Sequence, residues 1–334
     1  LTVLQKDSEA KYAFNLAQQQ PDEGPHKGKS MWLQLAHYLL PLNTAMLVKH
    51  ALQMETTQHS KSCEVHVLYG RLYFQHEDHI RAEEHFQEAS ALNTLDADPW
   101  LYLGHCYYAQ GRVDEACDAY NRALSVRNAP QDSLLHYHLG QLYIQKQQFE
   151  LACDNYLLAT KIWSCGIHWL GLGISYYHLK DFDRAEQALA EANVLDNQNG
   201  VVWGFLALVA LVQGRHGDAR RAFLEAMRLN LEDPYVFSMI AEEYLSQGSP
   251  DAAEEVMRSA LRVSNRSSDR RMLADILRAQ NKWEEALQQY EVLLETHENT
   301  EERKHALQQL FNILSSMDRD EDARRYAHML EECD

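Results

Sequence analysis

The sequence predicts an all-α fold, a solenoid of antiparallel helix pairs stacked as a right-handed superhelix. Three observations predict it. Small residues recur in one local context at Gly70, Gly104, Gly140, Gly173, Ala207, Ala241 and Ala274, and Phe311 closes the series, with successive separations of 34, 36, 33, 34, 34, 33 and 37 residues. Twelve positions after each stands an alanine, at Ala82, Ala116, Ala152, Ala185, Ala219, Ala253, Ala286 and Ala323. Two independent columns with one period mark a repeat array, in which each repeat's apolar face is covered by its neighbour. The third observation is composition. Of 334 residues, 46% are hydrophobic and only 14 are Gly and 7 Pro, which fills a core but suits neither a glycine-rich enzyme fold nor a disordered chain.

The elements follow in chain order. In residues 1–20, Ala10, Phe14 and Ala17 reproduce the alanine, aromatic, alanine spacing of the second helix of a repeat, so this segment reads as the end of a preceding repeat. The chain starts with Leu1 and lacks signal-peptide features, so it reads as a fragment of something longer. Residues 21–29 continue a polar, Pro- and Gly-containing run and read as a linker. In 30–61, Ser30 to Leu40 and Leu42 to Glu55, broken by Pro41, read as a helical pair that caps or extends the array. Residues 62–334 read as about eight repeats, at 63–96, 97–130, 133–165, 166–199, 200–233, 234–266, 267–300 and 304–334. The last is the most degenerate and reads as a cap.

Further columns support these boundaries. Four residues before the small position come Trp100, Trp169, Trp203 and Phe237, and three after it Tyr73, Tyr107, Tyr143, Tyr176 and Tyr244. Four after the alanine come Phe86, Tyr120, Tyr156, Phe223 and Tyr290. The pattern resembles the tetratricopeptide repeat from about Cys63 to the C-terminus. The residue types make physical sense: Gly or Ala on helix A and Ala on helix B allow close approach, and the aromatic columns fill the gaps. Gly111, Gly214 and Gly248 fall between helices A and B, where a positive φ is often needed, and Ser249-Pro250 reads as an N-cap followed by a first-position proline. Asp98-Pro99, Ala129-Pro130, Asn199-Gly200 and Asp233-Pro234 interrupt the helices between repeats.

Charge and motifs exclude several functions. Lys and Arg total 31 against 49 Asp and Glu, a formal net charge of −18, which argues against nucleic acid or anionic lipid as partners. This acidity reads as a solvated convex face or as electrostatic docking to a basic partner. The most apolar run, Val201 to Gln213, is too short to span a bilayer. Cys63, Cys106, Cys117, Cys153, Cys165 and Cys333 show no CxxC and no disulfide or zinc-finger spacing, which suits a reducing compartment. No catalytic constellation stands out, and no cofactor or metal is expected. Gly171 and Gly173 lack the third glycine and preceding strand of a dinucleotide loop. His76, Glu77, Asp78 and His79, with His85, fill a turn rather than complete a tetrahedral set, and His136 and His138 point to different faces. The sequon Asn265-Arg266-Ser267 has no secretory context.

The candidate site is the concave face. Helix A positions in the second to fifth repeats carry Leu101, Tyr102, Tyr108, Tyr137, Ile167, Leu170, Ile174, Tyr177, Val201, Phe205, Leu208 and Leu211. These read either as an apolar, aromatic docking groove for a partner helix or extended segment, with Tyr102, Tyr137 and Phe205 as anchors, or as internal packing of a tightly wound array. The linker itself is another candidate occupant. The cationic clamp with which tetratricopeptide co-chaperones hold acidic chaperone tails is absent, since those columns carry residues such as Leu101, Leu170, Ile174 and Leu208, with His105 and Gln141 between them.

More individual stretches lie at Ser164 to Tyr177, Arg184 to Asn199 and Val202 to Val209, with Ser62-Cys63-Glu64, Asp98-Pro99-Trp100 and Ala13 to Ala17 in support. They resemble the cilia- and flagella-associated protein 70 family, most densely over 62–233. The resemblance implies a non-catalytic scaffold of the ciliary or flagellar axoneme. It would support motility at the central apparatus or dynein arms and bind other axonemal proteins within a large complex. Two rivals stand beside it: a soluble adaptor for assembly or transport of axonemal complexes, and the regulatory arm of an enzyme.

Overall fold

The structure, a computed structural model, describes Tyr12 and residues 31–40, 45–58, 62–126, 132–296 and 300–331. The preceding-repeat segment 1–20 (apart from Tyr12), the linker 21–29, Pro41 and Ala129-Pro130 lie outside the described residues. A first helical pair, α1 (Met31–Leu39) and α2 (Ala45–Gln58), is followed by α3 (Cys63–Gln75), α4 (His79–Leu92), α5 (Ala97–Ala109), α6 (Val113–Ser125), α7 (Ser133–Gln145) and α8 (Phe149–Ile162). Then come α9 (Gly166–His178), α10 (Phe182–Leu195), α11 (Gly200–Val212), α12 (His216–Arg228) and α13 (Pro234–Ser246). The series ends with α14 (Pro250–Val263), α15 (Ser267–Ala279), α16 (Trp283–Thr296), α17 (Thr300–Ser316) and α18 (Asp320–Glu331). Odd-numbered helices from α3 onward are helices A and even-numbered ones helices B.

The small column works by contact. A Cβ added to Gly104 would stand 2.5 Å from the Tyr120 ring, and one added to Gly140 would stand 2.7 Å from the Tyr156 ring. Helix A therefore presents bare backbone to an aromatic ring sixteen positions later on helix B. In α17 the sizes are exchanged, with Phe311 in the small column and Ala327 in the aromatic one.

The turns share one geometry. Glu77, Gly111, Gln147, Lys180, Gly214, Gly248, Asn281 and Asp318 all have positive φ, and each stands seven positions after its small-column residue. In the second pair the Gly111 N–H donates to the Tyr108 carbonyl at 3.0 Å and the Arg112 N–H to the Tyr107 carbonyl at 2.9 Å, a Schellman closure. The three glycines read from the sequence are thus part of a column of eight in which five residues carry a side chain. The residue after each doubles as the N-cap of helix B. Asp78 and Asp181 accept from the Arg81 and Arg184 N–H groups, whereas Ser249 occupies its N-cap without a side-chain cap bond. Asp96, Asp132, Asn199 and Asp233 cap helices A in the same way.

The chain divides into two compact units, Leu1–Trp163 and Ser164–Asp334. In the first unit, Trp32, Leu39 and Leu52 of the leading pair pack against Val65, Leu68 and Leu72 of α3. Two further clusters centre on Phe86 with Leu103, and on Tyr120 with Leu135 and Leu139. One continuous core runs through the second unit from Ala185 to Ala323. No helix among the described residues is long and apolar enough to cross a membrane.

Candidate functional site

In the first unit, the predicted residues lie in a hydrogen-bonded aromatic network rather than on an apolar strip. Leu101, Tyr102 and Tyr108 of α5 and Tyr137 of α7 are all half-buried. The Tyr108 hydroxyl donates to Gln141 Oε1 at 2.6 Å, and Gln141 Nε2 donates to the Tyr137 hydroxyl at 2.8 Å. Tyr102 stacks on Phe86 at 5.1 Å, with the Arg71 guanidinium 5.6 Å from its ring. Tyr137 meets Tyr156 edge-on at 6.1 Å.

Histidines tie these rings together. His105 Nδ1 and the Tyr120 hydroxyl are 2.8 Å apart, and the His138 ring lies 4.5 Å from Tyr108 and 5.6 Å from His105. Burial, reinforced by His138, pushes the His105 pKa down to about 4. Burial also lowers that of His138 and raises that of Tyr108. His136, two positions from His138, faces the other way and pairs with Asn155 Oδ1 at 3.0 Å. His105 and Gln141 were visible in the sequence only as breaks in an apolar pattern. That they and His138 converge depends on packing α5 against α7.

In the second unit, Ile167 is 46% exposed, while Leu170, Ile174, Tyr177 and Val201 are half-buried. Phe205, Leu208 and Leu211 are exposed by only 2%, 0% and 0%, so these three are core and not groove, a correction to the sequence reading. The reason lies in α11, whose residues from Gly200 to Val212 include no charged side chain. A helix apolar on every face can be enclosed over most of its surface, and from Gly200 to Leu211 only Val201, Trp203 and Leu206 are left half-buried. Phe205 accordingly meets the Tyr177 ring edge-on at 6.0 Å, and Gln247 Nε2 closes on the Leu211 carbonyl at 2.8 Å. Burial and then Glu243, Tyr235 and Glu242 raise the Tyr177 pKa to about 12.

The turn histidines do not converge as a set. His79 packs edge-on to Phe74, and Asp78 is occupied capping α4. His85 instead joins His66 and Glu88, a grouping whose members are 19 and 3 positions from it and which the sequence reading did not make. Burial pushes the Cys106 thiol up to about 12, which keeps it protonated and inert.

These helix pairs, their columns and their turns define a tetratricopeptide repeat protein. The C-terminal part of a tetratricopeptide repeat-containing protein from Cytophaga hutchinsonii shares the fold at a TM-score of 0.50 and 14% identity, covering 70% of this chain and 95% of that one. Within that class the chain belongs to the cilia- and flagella-associated protein 70 family, whose C-terminal domain pattern matches residues 100–310. The human cilia- and flagella-associated protein 70 is 32% identical over 236 residues, 68% of this chain and 21% of that protein. The Macaca fascicularis protein is 37% identical over 139 residues, 41% of this chain and 14% of that one. The chain therefore spans about a fifth of the human relative's length.

Proposed function

We propose that this chain is a non-catalytic scaffold segment of the ciliary or flagellar axoneme. It supports motility at the central apparatus or dynein arms and holds other axonemal proteins on its helix A faces. The observation that carries this reading is family membership over residues 100–310. Two features of the site support it. The His, Tyr and Gln side chains of α5 and α7 hydrogen-bond and stack on one another in a fixed arrangement, as suits a docking surface. Half-exposed rings such as Tyr102 and Tyr137 offer rigid aromatic contacts of the kind that dominate interface energetics.

Fractionating motile cilia into detergent-soluble matrix and salt-extracted axoneme, with cross-linking of whatever retains the chain, tests the proposal. Recovery with the axoneme is the expected result. Recovery only in the soluble matrix or cell body would overturn it in favour of an assembly or transport adaptor.

A further inference from the structure

Away from the inner network, α3 and α4 bring two imidazoles and a carboxylate to one point. We infer that His66, His85 and Glu88 form a binding site for a divalent transition-metal ion of the zinc type, with a fourth position left for water.

The geometry carries the inference. His66 Nδ1 stands 3.3 Å from His85 Nδ1 and 2.7 Å from Glu88 Oε2, and His85 Nδ1 is 3.9 Å from that oxygen. Tetrahedral zinc with bonds of about 2.0–2.1 Å sets its ligand atoms roughly 3.3 Å apart, a spacing the two imidazole nitrogens already have, while Glu88 Oε2 stands closer to His66 and farther from His85. A circle through three atoms so spaced has a radius of about 2.0 Å, so one point lies at bonding distance from all of them. The exposed Glu88 side chain can even out the two carboxylate distances by rotating about its own torsions.

The surroundings favour the same reading. His85 is held in plane by Tyr73, 5.5 Å away and inclined by 5°, and by Tyr69, 5.1 Å away and inclined by 17°. Glu88 lies one turn beyond His85 on α4 and so projects from the same face. The side chains of His66 and Glu88 are 23% and 61% exposed, which gives an ion a path from solvent and leaves its fourth position wet. Two nitrogens and one carboxylate oxygen match the donor set of three-ligand zinc sites that retain a water. Thiolate-preferring ions would find no sulfur among these three donors. An ion here would clamp α3 to α4 within the first repeat.

The test is equilibrium dialysis of the whole 334-residue chain, free of any histidine tag, against zinc, with cobalt(II) absorption as a second readout. One zinc per chain and a tetrahedral cobalt spectrum without thiolate charge transfer are expected. His66→Gln and His85→Gln should each weaken zinc binding about 10-fold or more, and Glu88→Gln should weaken it in the same direction. Zinc should raise the melting temperature of the parent chain but not of the His66→Gln, His85→Gln double variant. Glu88 is exposed, so Glu88→Gln keeps the test open if a histidine variant loses helicity. Absence of stoichiometric zinc, a thiolate band, or full zinc occupancy in a folded double variant would overturn the site.

Discussion

Lys180 holds φ at 62° in the turn between α9 and α10, a position where the equivalent turns at Gly111, Gly214 and Gly248 use glycine. The left-handed conformation costs an L-residue about 1–2 kcal/mol, more than the extra entropy glycine loses on folding, about 0.5–1 kcal/mol. Lys180→Gly should therefore stabilise the second unit by roughly 0.5–1 kcal/mol in a urea melt, and Gly111→Ala should destabilise the first by a similar amount. His105 makes the complementary case through protonation. Its folded pKa of about 4 lies below the ordinary 6.5, so the unfolded chain takes up the proton first as the solution is acidified. The stability it contributes is complete above 6.5 and is lost as pH falls from there towards about 4. Melting temperature followed across that window should fall for the parent and fall less for His105→Gln.

Between elements, the periodic ion pairs are the counterpart of the packing columns. Arg112, Arg215 and Lys282 each sit at the N-cap of a helix B, where a cation has no acceptor for the helix. Each reaches back to the preceding helix B instead, to Glu83 at 2.9 Å, Glu186 at 2.8 Å and Glu254 at 2.6 Å. Glu254 is the most enclosed, its side chain 13% exposed, and it also accepts from Arg258 at 2.8 Å. Burial alone would raise its pKa, but the hydrogen bonds from Lys282 and Arg258 outweigh it and the net shift is downward from 4.5. The pair therefore contributes stability above the ordinary carboxylate value, and that contribution disappears as pH falls through the lower folded value. Glu254→Gln should cost up to about 1 kcal/mol at pH 7, and its gap to the parent should close below pH 4.5.

Why the helices were legible and the turns only partly so follows from the same columns. A Gly facing a Tyr sixteen positions later repeats because the packing problem repeats, so Gly104 with Tyr120 and Gly140 with Tyr156 announce themselves. The turn geometry repeats too, but Gln147 and Lys180 conceal it, since side chains tolerate a positive φ at modest cost. Arg112 and Glu83 lie 29 positions apart in a part-buried polar pair, to which no apolar period points.

At the scale of the molecule, the repeat period indicates which residues lie on helices A but not which of them stay exposed. Apolar letters on α11 mark either an exposed groove or a helix enclosed by its neighbours, and only the packing of α9 and α13 around it decides for the second. This changes which variants test partner binding. Phe205→Ala removes a ring exposed by 2% and should cost about 3–5 kcal/mol, so any loss of binding it produced would report unfolding. Ile167, at the start of α9 and 46% exposed, is the clean probe: Ile167→Asp should leave the melting temperature within about 1–2 °C of the parent while lowering retention on salt-washed axonemes. In the first unit, Tyr137→Phe tests the network, because it removes the acceptor for Gln141 Nε2 and keeps the ring. If the exposed end of α9 is a contact surface, Ile167→Asp should reduce cross-linking by itself. Wild-type retention in a folded Ile167→Asp chain would remove Ile167 from the contact surface, leaving the α5 and α7 network in the first unit and the half-buried Leu170, Ile174, Tyr177 and Val201 in the second.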